Sequence, residues 1–306
     1  MEMGEPKYRN ELAVGPFRKT HLGAFTAWFN ALPNNNHWTE AWISYKTLED
    51  ETYDPALMLA AERNGEPVGF VIGNVANNVG WIRAFIVHPD RRRRGIGSAL
   101  FEAVEQSFRA QGISEINVGW ALPRYLLPGV DLTYTSAITF LDRHGYQTNR
   151  ETRVNMDVIL TGRDFDTMAQ EALLLKHDIT VRRAVAQDRG QITQLCLAEN
   201  SGGWAIETGM ALDMAPIPVF VATRHGKIVA FATHSLCGPI QFGPMLTATE
   251  LRGKGVGSLL LKRCLRDWQQ AGIERCEISW AGPLSFYTRT VGATMGRAFW
   301  AFHKSL

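Results

Sequence analysis

The sequence predicts two tandem copies of one α/β domain. Three observations carry this: a length suited to two cores, a long-range internal repeat, and the same succession of strand, glycine-rich turn, helix and strand inside each copy. The chain has 306 residues, 45% of them hydrophobic and 20% charged, the balance of an ordinary globular protein. At roughly 100 to 200 residues per domain, two domains each have room for a core. Residues 92–123 align without a gap on residues 252–283 at an offset of 160. Ten of the 32 positions are identical: Arg92/Arg252, Gly95/Gly255, Gly97/Gly257, Ser98/Ser258, Leu100/Leu260, Gly112/Gly272, Ile113/Ile273, Trp120/Trp280, Ala121/Ala281 and Pro123/Pro283. A solenoid repeats every 20 to 50 residues or so, and a period this long describes a duplicated domain.

Each copy opens on a strand, about 11–14 and 179–182, and passes through helices to a hairpin over 58–71 and 219–232. Asn64-Gly65 is a strong two-residue hairpin turn and His225-Gly226 a weaker one. A strand follows at 81–87 and at 240–247, where Gly243-Pro244 interrupts the second copy because proline lacks a ladder donor. After the turn, apolar residues at 96, 100, 101, 104 and 108, matched by 256, 260, 261, 264 and 268, mark one face of a helix. Gly112 and Gly272 stand where C′ glycines end helices, and strands at 115–120 and 276–280 come next. A strand, a helix and a strand in succession imply a parallel pair joined by a right-handed crossover. The expected domains are 1–161 and 179–306, with a linker at 162–178 in which 168–176 forms a short helix.

Several function classes are excluded early. Lys plus Arg number 32 against 30 Asp plus Glu, and a net charge of +2 is too small for a protein that wraps nucleic acid or coats an anionic membrane. Residues 1–17 contain no apolar core of a signal peptide, and no run of 18 apolar residues occurs, so neither secretion nor membrane spanning is expected. Cys196, Cys237, Cys264 and Cys276 include no C-x-x-C pair, which fits a reducing cytoplasm and argues against a disulfide framework or a zinc site. The eight histidines are scattered without ligand spacing, so no metal is expected.

The turn is the feature with chemistry. A strand that feeds a helix through R-x-x-G-x-G presents backbone N–H groups at a helix N-terminus, where the orphan donors and the macrodipole favour an anion. Arg91 to Arg94 precede Gly95 and Gly97; Arg252, Gly253 and Lys254 precede Gly255 and Gly257. Cations are unfavourable at that end of a helix unless an anion joins them. Leu100 and Leu260 stand where a dinucleotide fingerprint needs a third glycine, and neither copy has a nucleoside-triphosphate loop.

Residues 87–100 (VHPDRRRRGIGSAL) and 250–258 (ELRGKGVGS) resemble the acyl-CoA-binding motif of the GNAT N-acetyltransferase superfamily, [RQ]-x-x-G-x-[GA] after a strand. The late family element is present too, as 140–146 (FLDRHGY) and 286–292 (FYTRTVG), so the resemblance spans nearly the whole chain as a tandem pair, an arrangement also seen in mycothiol synthase. It implies a mixed α/β sheet splayed between the fourth and fifth strands of each copy. The pantetheine arm of acetyl-CoA would pair there with Ile86 and Val87 or with Leu246 and Thr247. The pyrophosphate would be held by Arg92, Arg93, Arg94, Gly95, Ile96, Gly97 and Ser98, or by Arg252, Gly253, Lys254, Gly255, Val256, Gly257 and Ser258. The activity implied is direct transfer of an acetyl group to a primary amine of a small molecule or peptide. The alternative is a non-catalytic acyl-CoA-binding or regulatory protein.

Tyr287 occupies the position of the family's general acid, which protonates the departing thiolate; the first copy has Leu141 there. Tyr125 or Tyr134, in an insertion between Pro123 and Phe140, could substitute. No carboxylate lies on either fourth strand, so no general base is apparent. Cys264 and Cys276 read as core residues. The aromatic stretch Phe25, Trp28, Phe29, Trp38, Trp42 and Tyr45, with Asn34 to Asn36 between, reads more as core than as a cage; Glu199, Asn200, Trp204 and Glu207 could face a cationic amine. Which copy does the chemistry, and the oligomeric state, stay open.

Overall fold

The computed structural model describes residues 12–33, 37–121 and 124–306. In chain order the elements are β1 (Leu12–Pro16), α1 (Leu22–Asn30), α2 (Glu40–Lys46), β2 (Met58–Arg63), β3 (Glu66–Ala76), β4 (Val79–Val87), α3 (Ile96–Ala110), β5 (Glu115–Val118), β6 (Val130–Asp131) and α4 (Thr135–Arg143). There follow β7 (Thr152–Ile159), α5 (Met168–Leu175), β8 (Ile179–Arg183), α6 (Arg189–Ala198), α7 (Gly202–Ala211), β9 (Val219–Arg224), β10 (Lys227–His234), β11 (Gln241–Thr247), α8 (Val256–Gln270), β12 (Arg275–Ile278), α9 (Leu284–Val291), β13 (Thr294–Trp300) and β14 (Phe302–Ser305).

Two compact units form, one from Met1–Glu151 with Phe299–Leu306, the other from Thr152–Ala298. In the first, the sheet runs β1-β2-β3-β4-β5-β14, antiparallel except for the parallel pair β4–β5. In the second, the order is β13-β7-β12-β11-β10-β9-β8, with β11–β12 the parallel pair. The sequence reading places 1–161 in one domain, whereas β7, inside that span, pairs with β12 through Met156↔Ile278 and Ile159↔Arg275. Reciprocally, C-terminal β14 pairs with β5 through Phe302↔Val118 and Ser305↔Glu115. Each unit is therefore completed, beside its fifth strand, by a strand from the other half of the chain. Helix α5 falls within the expected linker.

The helical stripes read from the sequence are the core contacts. Ile96, Leu100, Phe101, Val104 and Phe108 of α3, and Val256, Leu260, Leu261, Cys264 and Trp268 of α8, are all buried against their sheets. Each such side chain contributes about 1.5 to 3 kcal/mol. Gly112 and Gly272 follow the helix caps at φ +75° and +78°, the left-handed residues that end a helix.

The opposite sheet faces differ. In the first unit Phe17, Phe25, Phe29, Trp38 and Phe70 interlock, with Phe25 stacked on Phe29 and edge-on to Phe17, so the aromatic stretch is core. Asn34 to Asn36 lie outside the described residues. Leu126 and Leu127, from the segment leading to α4, plug into this core, and Arg124 ties the segment down by donating to the carbonyls of Tyr45 and Glu49 at 2.6 and 2.5 Å. In the second unit a smaller core of Ile192, Cys196, Phe231 and Leu246 fills the corresponding face.

Candidate functional site

In both units the parallel pair parts company at a bulge. β4 pairs with β5 only from Gly80 to Ile82, and the amide of Gly119 donating to the Ile82 carbonyl closes the ladder. Arg83 is the extra residue, since Ile82 faces Gly73 while Ala84 faces Ile72. In the second unit only Gln241 and Phe242 pair with β12, after which the register slips at Gly243-Pro244. The proline that interrupts the sequence pattern is thus a bulge at the position of Arg83. Beyond each bulge, Ile86 and Val87 still pair with β3 and Leu246 and Thr247 with β10, but on the side of β5 and β12 they have no strand partner among the described residues. Ile86 and Leu246 are buried and the other two half-buried. Arg83 is buried against Asp50 at 2.5 Å, and burial lowers its guanidinium's affinity for its proton against the pull of that carboxylate.

The two turns share their backbone frame. Arg92 Nε donates to the Val87 carbonyl and Arg252 Nε to that of Thr247, each at 3.1 Å, locking the turn to the strand. Arg93 and Gly253 are left-handed, at φ +61° and +77°, as are Gly95 and Gly255, at +78° and +85°. A side chain on Gly95 would meet nothing within 4 Å, so this glycine serves the backbone conformation and leaves space before the N-terminus of α3. Gly97 has another reason: a Cβ there would lie 3.1 Å from Phe140, so its role is close packing of the late helix. Gly257 is bounded likewise by Met245 and Thr247. Ile96 and Val256 point into the cores, at the first helical position of α3 and α8. Ser98 Oγ lies 2.9 Å from His144 Nε2, and Ser258 Oγ donates to the Gly255 carbonyl at 2.8 Å.

Electrostatically the turns diverge. Arg91 to Arg94 and Lys254 are exposed, and among the described residues none of them has an ion-pair partner. Arg252, in contrast, holds Glu199 at 2.6 Å, and the same carboxylate accepts from the amide and the hydroxyl of Thr249. Those bonds, led by the Thr249 amide, keep the Glu199 carboxyl below its usual range. Glu199 therefore faces the turn rather than an amine.

Helix α9 sets Tyr287 on the inner side of the sheet, 6% exposed, its ring 6.3 Å from Phe242 and 5.1 Å from Phe286. Burial pushes its phenol up to about 12. Its counterpart Leu141 is fully buried in the first core. Tyr134 donates its hydroxyl to the Pro33 carbonyl, and Tyr125 is buried beside Lys46, whose ammonium bonds the Tyr125 carbonyl. All four cysteines are buried and none forms a disulfide among the described residues, and burial raises the thiols of Cys196, Cys264 and Cys276.

One carboxylate escaped the sequence reading. Glu277 of β12 stands opposite Gln241, one rung before the last pair Phe242↔Ile278, 8% exposed, accepting from Gln241 Nε2 at 2.8 Å. Its neighbours Cys276 and Ile278 enter the α8 core, so Glu277 points to the opposite face. Burial raises its carboxyl, opposed by the charge of Arg297 and by the hydrogen bond from Gln241. The signal was a lone Glu between two apolar residues of a fifth strand. No described group of three or more His, Cys, Asp or Glu could hold a metal ion, and no described helix is long and apolar enough to cross a membrane.

A parallel strand pair that opens at a bulge, beside a glycine turn and a helix N-terminus, offers an open strand edge and an anion-binding end to an extended ligand. Comparison with known families makes this specific: residues 24–128 match the acetyltransferase (GNAT) family and residues 216–290 an acetyltransferase (GNAT) domain. The chain belongs to the GNAT family, as a tandem of two such domains. It is 42% identical over 66 residues, 22% of its length, to an acetyltransferase of Pectobacterium atrosepticum; it spans about half the length of that relative, 47%. Among solved structures it resembles the glucosamine N-acetyltransferase region of a fungal multi-domain GH3 β-N-acetylglucosaminidase, with a TM-score of 0.75, 20% identity, and coverage of 98% of this chain and 39% of that one. It also resembles a tandem GNAT protein from the clavulanic acid biosynthesis pathway, with a TM-score of 0.70, 13% identity, and coverage of 96% and 98%. At these identities the likeness is one of fold.

Proposed function

We propose that the protein transfers an acetyl group from acetyl-CoA to a primary amine of a small molecule or peptide, directly and without an acyl-enzyme, and that the second unit carries the chemistry. One observation bears the weight: the opened strand pair of that unit has a buried phenol on one side, Tyr287, and a buried carboxylate on the other, Glu277. The amine nitrogen attacks the thioester carbon and its proton passes to the Glu277 carboxylate. The C–S bond then breaks and the departing thiolate takes the Tyr287 proton, leaving an amide and the thiol of CoA. A carboxyl raised by burial is a stronger base than a free one, and a phenol near 12 stays protonated until the thiolate needs it. Deep burial of every cysteine with a raised thiol supports transfer without a covalent intermediate.

Donor binding rests on the turns: Arg92 to Ser98 in one unit and Arg252 to Ser258 in the other for the pyrophosphate, with Ile86-Val87 and Leu246-Thr247 for the pantetheine. Leu141 and the plugged face of the first unit favour a second role there, acyl-CoA binding without turnover. Calorimetric titration with acetyl-CoA, followed by an amine panel read by thiol release, tests both. Two bound donors with turnover lost in Tyr287→Phe supports the scheme; no heat and no thermal shift at millimolar acetyl-CoA overturns it.

A further inference from the structure

The face of the second unit's sheet turned away from α8 carries a belt of polar side chains that the fold leaves unsatisfied. Thr233 alternates with Ala232, which belongs to the α8 core, and so shares the opposite face with Phe231; Gln241 alternates with Phe242 in the same way, and Glu277 with Cys276 and Ile278. Helix α7 packs on β11 above this face, and its Glu207 and Thr208 lie one turn before Ala211, a member of the core on that side. Thr208 and Thr233 are 0% exposed and Gln241 6%, yet the two hydroxyls and Gln241 Oε1 have no hydrogen-bond partner among the described residues. Buried polar atoms are nearly always satisfied, and three orphans on one face beside the splayed rung call for a ligand that supplies the missing bonds. The buried carboxylate of Glu277 on the same face is a group suited to an amine.

Resting on the reading of the second unit as the transfer site, we propose that its acceptor is a small amine bearing hydroxyl groups, an aminoalcohol or amino-polyol. The amine, its ammonium proton given up to solvent, sits toward Glu277, whose carboxylate takes the second proton as the nitrogen attacks. Its hydroxyls complete Thr208, Thr233 and Gln241. A site built to bond hydroxyls rejects an analogue without them far more strongly than an apolar pocket rejects a missing methylene.

The test is a matched pair: 2-amino-1,3-propanediol and isopropylamine share a skeleton and differ by two hydroxyls, with a dipeptide as third probe. Binding of each, with CoA present, is measured by saturation-transfer NMR and calorimetry on the full chain, its Thr208→Val and Thr233→Val variants, and in parallel by thiol release from acetyl-CoA. The diol should bind at least about tenfold tighter than isopropylamine, and Thr233→Val should erase most of that preference while acetyl-CoA affinity and thermal stability hold. Preference for isopropylamine or the dipeptide, no diol binding, or an unchanged preference in both valine variants overturns the proposal. Diol binding without thiol release supports the belt and sinks the transfer reading instead.

Discussion

Tyr287→Phe separates chemistry from binding. The substitution removes one oxygen from a ring held by Phe242 and Phe286 at 6.3 and 5.1 Å, and the hydroxyl has no hydrogen-bond partner among the described residues. No cavity opens and no donor is stranded, so stability should change by under about 1 kcal/mol. Loss of a positioned acid costs about 10² to 10⁴ in rate, which is about 2.7 to 5.5 kcal/mol on the barrier at 1.36 per decade. The phenol's rise to about 12 comes from burial, so the wild-type rate should show no loss from Tyr287 ionisation below about pH 11. The assay is thiol release at saturating acetyl-CoA, paired with calorimetric affinity. A kcat within twofold of wild type, or an acetyl-CoA affinity that falls as far as kcat does, refutes Tyr287 as the acid.

The remaining predictions concern the turns and the base. Gly95→Glu and Gly255→Glu put an anion where the pyrophosphate is proposed, and each should weaken acetyl-CoA at its own unit by more than tenfold in calorimetry; Gly95→Ala, sharing only the backbone strain of about 1 to 2 kcal/mol, is the control. Glu277→Gln should lower kcat by 10² or more and remove the acid limb of the pH–rate profile. The groups facing Glu277 are Arg297, Gln241 and Asn155, which lower its carboxyl, and Asp157, which raises it; burial is the largest cause and sets the direction upward. Ionisation is thus harder in the fold than in the unfolded chain. Stability from this group is full below the ordinary carboxylate range and is lost as pH rises through the raised value, so the wild-type melting temperature should fall relative to Glu277→Gln over that window. Glu199→Gln frees Arg252, and because the Arg252 side chain is more than half exposed the gain in acetyl-CoA affinity should stay under about fivefold, read by the same titration.

How much of this was legible depends on the range of the interaction that decides it. The stripes 96, 100, 101, 104, 108 and 256, 260, 261, 264, 268 follow from a period of 3.6, and every one of those residues is core. The left-handed Gly95 and Gly255 could be read from the motif alone. The role of Gly97 could not, because Phe140, the ring it makes room for, is more than 40 residues distant. Glu277 looked like an ordinary half-exposed strand residue. Its burial depends on β11 beside it and on β7, which arrives from about 120 residues earlier, and register between strands so far apart leaves no local mark. The exchange of β7 and β14 was hidden for the same reason, since both strands are ordinary in pattern and only their partners are unexpected.

The divergence of the two copies follows from what each function demands. Donor binding, as proposed, uses backbone: N–H groups presented by left-handed residues, a helix N-terminus and an open strand edge. Two arginines that bond their own strands at the same 3.1 Å preserve that frame in both units. Catalysis uses side chains, and these drift without disturbing the frame. In the first unit Leu141 has joined the core, Leu126 and Leu127 have filled the outer face, and the bulge residue Arg83 is locked to Asp50, which also holds Thr52. A buried ion pair contributes little net stability, yet removing either partner strands a charge, so it fixes geometry more than it adds to ΔG. The second unit keeps glycine at that bulge and orphaned hydroxyls beside it. A sheet that spends its outer face on packing has no group left to receive an amine, whereas one that tolerates unsatisfied hydroxyls forgoes stability for a site. On that argument the chain should bind two donors and turn over one.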